Sequence, residues 1–383
     1  MGKKLTMLAA SEMILSMEGD PCYYFEPVEK LFAEADLVFG HLEAPHTDRP
    51  NYQGQYIAPA APMKNIVGLK YAHFDAVTLA GNPTFSYGEP GVEDTIKWLE
   101  ENGIGHVGAG MNIDEARRPL ILEREGVKFG FLSYDSTAFR SAANPAKAGA
   151  AYVDIITYHR STSFPGGRPT TMTFIEPWSL EAMREDIRAL RSKCDILTVV
   201  LHKGLGFSSE LADYEYLLPR HAIDEGADLI VANHSHVLKP VEFYKDVPIY
   251  HCLGNLVCVF PWEVHSMFHV QPETTLGKSK VRPRGTGAAR AILDPDAPNY
   301  PFPSKEAMIG KIIVDVDEKK IVDARILPLY INNEGQPIVH GRDDKGETVL
   351  ATMERVTAEN GLNGKYKWDG DEIVCYSDGP SKK

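Results

Sequence analysis

The sequence predicts an α/β protein in which largely parallel strands are covered by helices on both faces of the sheet. Three observations lead to this fold class. Short apolar runs recur over most of the 383 residues, amphipathic segments lie between them, and the runs are apolar on both faces. Such runs are typical of strands in a sheet that is covered on both sides. Their regular alternation with helices indicates an α/β architecture.

Seven apolar runs bounded by Asp, Gly or Asn are predicted to form buried strands. They are residues 4–14, 35–42, 74–82, 128–135, 195–204, 227–236 and 248–260. Amphipathic segments predict helices between them. These segments are residues 25–35, 90–103, 179–193 and 216–226. A period-two pattern at 310–331 predicts a β-hairpin, and residues 346–361 predict one further helix.

Two stretches interrupt this rhythm. Residues 141–177 are rich in Pro, Gly, Ser and Thr, and residues 261–303 are rich in Pro and poor in apolar runs. Long irregular segments in a compact domain usually serve as lids or partner surfaces. We therefore expect two surface excursions, of which the second is a candidate contact in a homo-oligomer. The expected organisation is one domain over residues 1–332, with residues 333–383 as a C-terminal extension packed on it.

The chain is acidic, with 53 acidic and 40 basic residues and a net charge of −13. Nucleic-acid binding needs clustered Lys and Arg, so this charge argues against a nucleic-acid partner and favours a small-molecule substrate. The five cysteines form no Cys-x-x-Cys pair, so neither a zinc ribbon nor a disulfide framework is expected. The first apolar stretch is short and interrupted by Glu12, which predicts no membrane association and a cytoplasmic location.

Side chains of the metal-ligand type recur where the predicted strands end. They are Glu12, His41, Glu43, Asn82, His202, Asn233, His234, His236, His251 and Asn255. Each one alone has an ordinary explanation, such as a solvated carboxylate, a turn amide or a core histidine. Ligands of α/β sheets collect at the carboxyl ends of strands, so the recurrence favours one shared site. Imidazole, carboxylate and amide oxygen together suit Mn, Fe or Zn.

Five sequence motifs point to a known family. They are HLEAP (41–45), LAGNPTFSYGEPGVEDTIKWLEENGIGHVGAG (79–110), VVLHKG (199–204), GADLIVANHSHVLKPVEFY (226–244) and LGNLV (253–257). In this order they resemble the bacterial capsule-synthesis CapA family, also called poly-γ-glutamate biosynthesis proteins, which is similar to calcineurin-like metallophosphoesterases. The resemblance runs from about Leu5 to about Pro337. It implies a four-layer α-β-β-α sandwich with mixed sheets, outer helices and a metal centre, often dinuclear, at the strand ends.

The resemblance also implies a set of metal ligands. They are Glu12, His41, Glu43, Asn82, His202, His234 and His236. Two of these depart from the family pattern, because Glu12 stands for an Asp and His41 for an Asn. Both substitutes are themselves ligand-type residues, which favours a working site with altered chemistry over a decayed one.

Three further departures concern catalysis. Pro83 replaces a family histidine, Ser86 replaces an Asp, and Asn233 replaces another histidine. In phosphoesterases of this type, the histidine missing at position 83 stabilises charge or donates a proton near the leaving group. Proton donation contributes roughly 10²–10⁴-fold in rate. Its absence weakens the interpretation of the chain as an ordinary phosphoesterase.

The leading interpretation is a metal-dependent hydrolase with one or two divalent ions (Mn, Fe or Zn). A metal-bound hydroxide would attack a small phosphoester, amide or related bond. Asn233, His251 and His159 are candidates to orient or protonate the leaving group. The candidates to clamp a carboxylate or phosphate of the substrate are Arg160, Arg168, Arg282, Arg284 and Arg290, although any one arginine more often carries solvated loop charge.

Two other interpretations stay open. One is a non-catalytic or accessory component of poly-γ-glutamate or capsule assembly, which the family name favours. The other is a lyase or binding module that reuses the pocket at the strand ends without a metal. Elemental analysis of the purified protein is the cheapest first test of these interpretations, and a substrate screen then addresses the reaction.

Overall fold

The computed structural model describes residues 2–50, 60–137, 139–160, 170–259, 302 and 304–381. Arg168, Arg282, Arg284 and Arg290 lie outside these ranges, as does all of the proline-rich stretch 261–303 except Phe302. Within the described ranges, no helix combines the length and the apolar character that crossing a bilayer requires.

Strands and helices alternate along most of the chain. The strands are β1 (Lys4–Leu15), β2 (Leu37–Leu42), β3 (Ala76–Thr78), β4 (Gly105–Val107), β5 (Ala109–Gly110), β6 (Leu120–Arg124), β7 (Val127–Asp135), β8 (Gly149–Ala150), β9 (Ile155–Arg160), β10 (Thr170–Ile175), β11 (Ile196–His202), β12 (Leu229–Asn233), β13 (Leu238–Tyr244), β14 (Val247–Leu253), β15 (Asn255–Val259), β16 (Glu306–Asp315), β17 (Lys320–Ile331), β18 (Pro337–Val339), β19 (Gly364–Asp369) and β20 (Glu372–Ser377). The helices are α1 (Glu26–Ala33), α2 (Val67–Tyr71), α3 (Gly88–Glu101), α4 (Ile113–Ala116), α5 (Pro177–Arg191), α6 (Asp213–Asp224) and α7 (Asp344–Glu359).

The larger sheet has ten strands, in the order β19-β20-β17-β16-β1-β2-β3-β4, with β15 beside β1 and β18 beside β17. Its half from β1 to β4 is parallel. On its other side β1 changes partner, from antiparallel β16 over Lys4–Ala9 to parallel β15 over Glu12–Leu15. Strand β1 is therefore the central strand against which the rest of this sheet is placed.

The smaller sheet has six strands, in the order β13-β14-β12-β11-β7-β6. Strands β7, β11, β12 and β14 run parallel, whereas β6 and β13 are antiparallel to their neighbours. The last residue of β11, His202, is in register with Asn233 of β12 and Asp135 of β7. The carboxyl ends of the three central strands thus meet at one edge.

Three buried apolar clusters separate four layers. The first lies between the outer face of the larger sheet and helices α1, α2 and α3, and includes Phe32 and Leu99. The second lies between the two sheets, where Phe39 of β2 packs against Phe131 of β7 with ring centroids 5.1 Å apart. The third joins the smaller sheet to α5 and α6. The expected four-layer α-β-β-α sandwich is confirmed.

The predicted helices and hairpin are present, and so are six of the seven predicted strands. The seventh, over residues 248–260, is instead two strands, β14 and β15, which belong to different sheets. The expectation of largely parallel strands is wrong for half of the larger sheet. Strands β16, β17, β19 and β20 pair antiparallel. The last two belong to residues 333–383, which continue this sheet through the pairing of Ala324 with Cys375. Residues 141–177 are also less irregular than expected, because β8 is buried and β9 pairs with β10 in a hairpin.

A buried network of charges joins α6 to the smaller sheet directly behind His202. Glu215 of α6 accepts hydrogen bonds from Lys203 at 3.2 Å and from Lys239 at 2.8 Å, and all three side chains are fully buried. Burial opposes ionisation, yet the two ammonium groups hold the pKa of Glu215 at about 2. Lys203 also contacts His251, whose other ring nitrogen contacts Glu242. The loop after His202 is therefore held by charge pairs that water does not reach.

We expect Glu215→Gln to lower the free energy of unfolding by about 3–5 kcal/mol, because it leaves two buried ammonium groups without their counter-charge. Urea unfolding followed by circular dichroism measures this change. The matched control is Glu210→Gln, since Glu210 is exposed. Its effect should stay within about 0.5 kcal/mol. A loss below about 1 kcal/mol for the Glu215 variant would contradict the role assigned to this network.

Candidate metal centre

Ligand-type side chains from both sheets converge where β1, β2, β11 and β12 approach one another. Three overlapping groups have ligand atoms that all lie within 4.8 Å of one another. These groups are Glu12–His41–His202, Glu43–His202–His234 and Glu12–Glu43–His236. Six of the seven expected ligands thus lie in one cluster. The seventh, Asn82, joins them, since its Oδ1 lies 2.7 Å from His202 Nε2 and 3.1 Å from His234 Nδ1.

Glu12 reaches this cluster through an irregularity in β1. Strand β1 continues three residues beyond Glu12, to Leu15. The register against β2 shifts between Ala9 and Glu12. A bulge adds backbone length to one strand and re-aims the side chain that follows it. Glu12 is therefore a central-strand residue whose carboxylate is turned into the centre by a bulge.

Each of three imidazoles is oriented by an oxygen on its Nδ1 side. The pairs are His41 Nδ1 with Thr78 Oγ1 at 2.9 Å, His202 Nδ1 with Asn233 Oδ1 at 2.9 Å, and His236 Nδ1 with Asn255 Oδ1 at 2.8 Å. An amide oxygen only accepts, so Nδ1 carries the proton in His236. Thr78 directs its own hydroxyl toward Gly40 O, so its oxygen accepts a hydrogen bond from Nδ1 of His41. In these two rings Nε2 keeps its lone pair, as a metal ligand requires. His202 has an amide oxygen beside each ring nitrogen, Asn233 Oδ1 at Nδ1 and Asn82 Oδ1 at Nε2.

The two histidines after β12 occupy a strained turn. His234 has φ 98° and His236 has φ 53°, both in the left-handed region that non-glycine residues seldom adopt. The backbone N–H of His234 donates to Oε1 of the buried Glu12. The rings of Phe207 and Phe302 lie against His236, with centroids 5.6 and 4.4 Å from its own. Strain of this kind is kept where surrounding contacts enforce it, and it concentrates at functional sites.

The facing atoms in the cluster are mostly acceptors. Glu12 Oε2 lies 3.8 Å from His41 Nε2, and Glu43 Oε2 lies 3.6 Å from His236 Nε2. Among the described residues, Glu12 Oε2, His41 Nε2 and Glu43 Oε2 are buried without any hydrogen-bond partner. Leaving a buried polar atom unpaired costs about 1–3 kcal/mol. Carboxylate oxygens and imidazole lone pairs converging in this way fit a divalent cation.

The protonation of these groups supports the same conclusion. Burial raises the pKa of Glu12 to about 8, and burial together with the neighbouring Glu12 raises the pKa of Glu43 well above its ordinary value. Burial lowers the pKa of His41 and of His234 to about 3, and it lowers the pKa of His202 well below its ordinary value. The imidazoles are therefore neutral and able to bind a metal, whereas the two carboxylates need a cation to stay charged.

The structure corrects the roles expected of Asn233 and His251. Asn233 faces the His202 ring, so it positions a candidate ligand instead of a leaving group. His251 is buried with both ring nitrogens engaged, at 3.1 Å from Lys203 Nζ and 3.0 Å from Glu242 Oε2. Either ring nitrogen of His251 therefore faces a side chain of the buried charge network, Lys203 or Glu242, and not a substrate. Proton donation to a substrate by His251 is therefore not what this geometry favours.

His159 and Arg160 lie outside the buried cluster. Both are exposed near the end of β9 in the two-stranded hairpin, where His159 Nδ1 lies 3.2 Å from Thr171 Oγ1. They were candidates because they belong to residues 141–177, the Pro- and Ser-rich stretch that was expected to form a surface excursion. Neither belongs to a cluster of ligand-type side chains among the described residues, so the roles expected of them gain no support from the geometry.

Three residues at the centre were not identified as site residues from the sequence. Asp135, at the end of β7, is in register with His202, and its charge contributes to the raised pKa of Glu43. Thr78 orients His41. Gly81 leaves space, because a Cβ there would lie 3.2 Å from His41 Nε2 and 3.4 Å from His202 Nε2. Asp135 had a usable signal, since it ends a predicted strand as Glu12 and His202 were expected to do.

Comparison with known proteins identifies the family. Residues 3–259 match the sequence model of the family described as "Bacterial capsule synthesis protein PGA_cap", which is more than half of the chain. The chain belongs to the PGA_cap family. The matched region begins just before β1 and ends with β15, so it contains every residue of the candidate metal centre.

This PGA_cap chain is similar to the CapA proteins of two Bacillus species. It is 28% identical over 241 residues to the PGA biosynthesis protein CapA of Bacillus subtilis, a match that covers 62% of this chain and 57% of the relative. It is 27% identical over 244 residues to the capsule biosynthesis protein CapA of Bacillus anthracis, covering 63% and 54%. The chain thus spans little more than half the length of these relatives.

Among solved structures, the protein is similar to a crystal structure described as a novel phosphatase from Mycoplasma pneumoniae. That likeness covers 86% of this chain and 95% of the other, with a TM-score of 0.48 and 13% sequence identity.

We expect Gly81→Ala to weaken metal binding by this PGA_cap protein about tenfold or more, because the added methyl group enters the space between His41 and His202. Isothermal titration with Mn²⁺ or Zn²⁺ measures the affinity. Gly206→Ala is the matched control, since a Cβ there meets His234 Nε2 only at 4.0 Å. Equal affinities for the two variants would show that the metal does not lie between His41 and His202.

We expect Thr78→Val to weaken metal binding by about 10–100-fold, because it removes the oxygen that orients the His41 ring. Thr198→Val makes the same change at a buried strand threonine whose hydroxyl has no hydrogen-bond partner among the described residues. That control should keep wild-type affinity. Metal titration of both variants, with thermal unfolding to confirm that they fold, tests the assignment; an unchanged affinity in Thr78→Val would refute it.

Proposed function

We propose that this protein is a metal-dependent hydrolase that acts on a small phosphoester, amide or related bond. The observation that carries the proposal is the buried convergence of unpaired carboxylate oxygens and imidazole lone pairs from β1, from the ends of β2 and β11, and from the turn after β12. A purely structural cluster would be expected to pair these atoms with donors, since buried unpaired acceptors are costly. The arrangement therefore favours a bound cation, and with it chemistry.

The centre would hold one or two divalent ions. Glu12, Glu43 and His202 each belong to two of the three ligand groups, so one of them would be shared if two ions bind. His41, His234 and His236 each belong to one group. The mixed oxygen and nitrogen donor set suits Mn, Fe or Zn. Bound there, such an ion would act as a Lewis acid and supply a hydrolytic nucleophile near neutral pH.

The remaining residues would tune and shield this chemistry. Asn233, Thr78 and Asn255 would hold the imidazole rings in the ligating tautomer. Phe207 and Phe302 would limit water around His236. Pro83 removes the family histidine that serves the leaving group, so the reaction would need a good leaving group or a proton donor carried by the substrate. The net charge of −13 favours a small substrate over a polyanion.

A second candidate is a non-catalytic role in poly-γ-glutamate or capsule assembly. The names of the two Bacillus relatives, which refer to PGA and capsule biosynthesis, favour it. In that case the metal would stabilise the junction of the two sheets without turning over a substrate. Occupancy with no hydrolysis of any offered bond is the result that this candidate predicts.

We expect the purified protein to carry about one or two equivalents of Mn, Fe or Zn. We expect the His234→Ala variant to keep its fold but to lose most of this metal. Elemental analysis and circular dichroism measure these outcomes. His159→Ala is the control, because His159 is exposed on the hairpin and should not affect the metal. Less than half an equivalent in the wild type, unchanged by reconstitution, would overturn the proposal.

A screen of phosphomonoesters, phosphodiesters and γ-glutamyl amides then tests the reaction. Turnover that requires metal and is lost in His234→Ala supports a hydrolase. Full metal occupancy without turnover of any of the three classes would favour the assembly role over the hydrolase. Full occupancy in His234→Ala would mean that the metal binds elsewhere.

A further inference from the structure

A groove lies on the surface between the segment that follows Asn82 and the segment that follows β7. It has a volume of about 430 Å³, and its walls include Phe85, Phe139, Arg140, Lys147 and Tyr152. This combination of three aromatic rings with two basic side chains is unusual on a chain whose net charge is −13. None of these residues belongs to the candidate metal centre.

The walls of the groove are connected to the centre at two points. The hydroxyl group of Ser141, which follows the wall residue Arg140, donates a hydrogen bond to the backbone oxygen of Asn82 at 2.5 Å. Tyr152 forms a β-bridge with Asp135, which is in register with His202. Both connections involve residues at strand ends of the centre. The walls of the groove are therefore attached to the segments that carry Asn82 and Asp135 at the edge of the centre.

The aromatic part of the groove presents an open ring surface. Phe139 is 69% exposed, an unusually high value for a phenylalanine next to a concave surface. It is held edge-on by Tyr152, with ring centroids 5.8 Å apart and an interplanar angle of 88°. A T-shaped pair leaves a ring face available, and a planar group can stack on it for about 0.5–1.5 kcal/mol beyond simple burial.

The basic part of the groove is centred on Lys147. Its ammonium lies 4.3 Å from the centroid of the Phe85 ring and donates to the backbone oxygens of Arg140 at 2.6 Å and Ala142 at 2.8 Å. Within the described ranges, no carboxylate lies at ion-pair distance from Lys147. Carbonyl oxygens orient the ammonium but leave its full charge uncompensated, so an incoming anion would be attracted.

We propose that this groove is the subsite for the part of the substrate distal to the scissile bond, and that it takes a planar ring bearing a negative charge. This inference rests on the proposed hydrolase function and names the substrate class of the same site. The ring would stack on Phe139 beside Tyr152, and its carboxylate or phosphate would lie against Lys147. The nonpolar walls and the fixed ammonium exclude a neutral aliphatic chain as the preferred occupant.

Four non-hydrolysable phosphonates test the subsite by isothermal titration into metal-loaded protein. They are 4-phosphonobenzoate, 1,4-phenylenediphosphonate, phenylphosphonate and n-butylphosphonate. The first two are the charged-ring compounds, because their ring carries a second anionic group. We expect them to bind about tenfold tighter than n-butylphosphonate, and we expect phenylphosphonate to have an intermediate affinity. The relative affinities of the first two distinguish a carboxylate from a phosphate at Lys147.

Two variants assign the effect to the groove. Phe139→Ala should weaken the three ring compounds by about threefold to tenfold and leave n-butylphosphonate unchanged. Lys147→Gln keeps a donor for the backbone oxygens but removes the charge, so it should weaken only the two charged-ring compounds. Tyr158→Ala, which removes an exposed aromatic ring on the β9–β10 hairpin, should change none of the four affinities.

The outcomes separate the subsite from the function on which it rests. Metal content is measured for every variant before titration. If the wild type holds metal but binds all four phosphonates equally, or if Phe139→Ala and Lys147→Gln change nothing, the subsite is wrong and the hydrolase stands. If the wild type holds no metal after reconstitution, the hydrolase itself fails.

Discussion

Two carboxylates and several imidazoles are buried together at the junction of the two sheets, and their need for compensating positive charge is the constraint on which the rest of the structure depends. Glu12 and Glu43 come from neighbouring strands of the larger sheet, whereas His202 and His236 belong to the smaller one. Without a cation, these groups leave acceptors facing acceptors in a place that water does not reach. With a cation, the same groups tie the two sheets together at their carboxyl edge.

Two kinds of polar group surround that centre. Neutral oxygens contact the imidazole rings, and a set of charged side chains is buried behind His202. Thr78, Asn233 and Asn255 fix the imidazoles without adding charge. Behind His202, Glu215 lies between Lys203 and Lys239 and offsets one of their two positive charges. This separation matters because a free ammonium close to the ligands would compete with a metal for Glu12 and Glu43. Glu215 holds Lys203 and Lys239 away from that role.

Much of this arrangement could be predicted from local sequence, since buried parallel strands read as continuous apolar runs and their ends carry polar residues. His202, His234 and His236 were identified for this reason, helped by the family resemblance. The bulge that turns Glu12 inward could not be predicted, because a bulge depends on the register between strands. The antiparallel β13 was missed since Pro240 and charged side chains interrupt its apolar pattern. The lysines at 203 and 239 look like surface residues until the fold places Glu215 between them.

The hydrogen bond from His234 to Glu12 joins residues that are 222 positions apart. A ribosome adds about 5–20 residues per second, so synthesis of the intervening chain takes on the order of tens of seconds. During that interval β1 can pair with β2, but its other edge waits for β15 and β16 to emerge. Until they emerge, the nascent protein has an unpaired apolar edge on β1 and an incomplete set of ligand-type side chains around Glu12. The complete set of ligand-type side chains, from Glu12 to His236, therefore exists only after most of the chain has been synthesised.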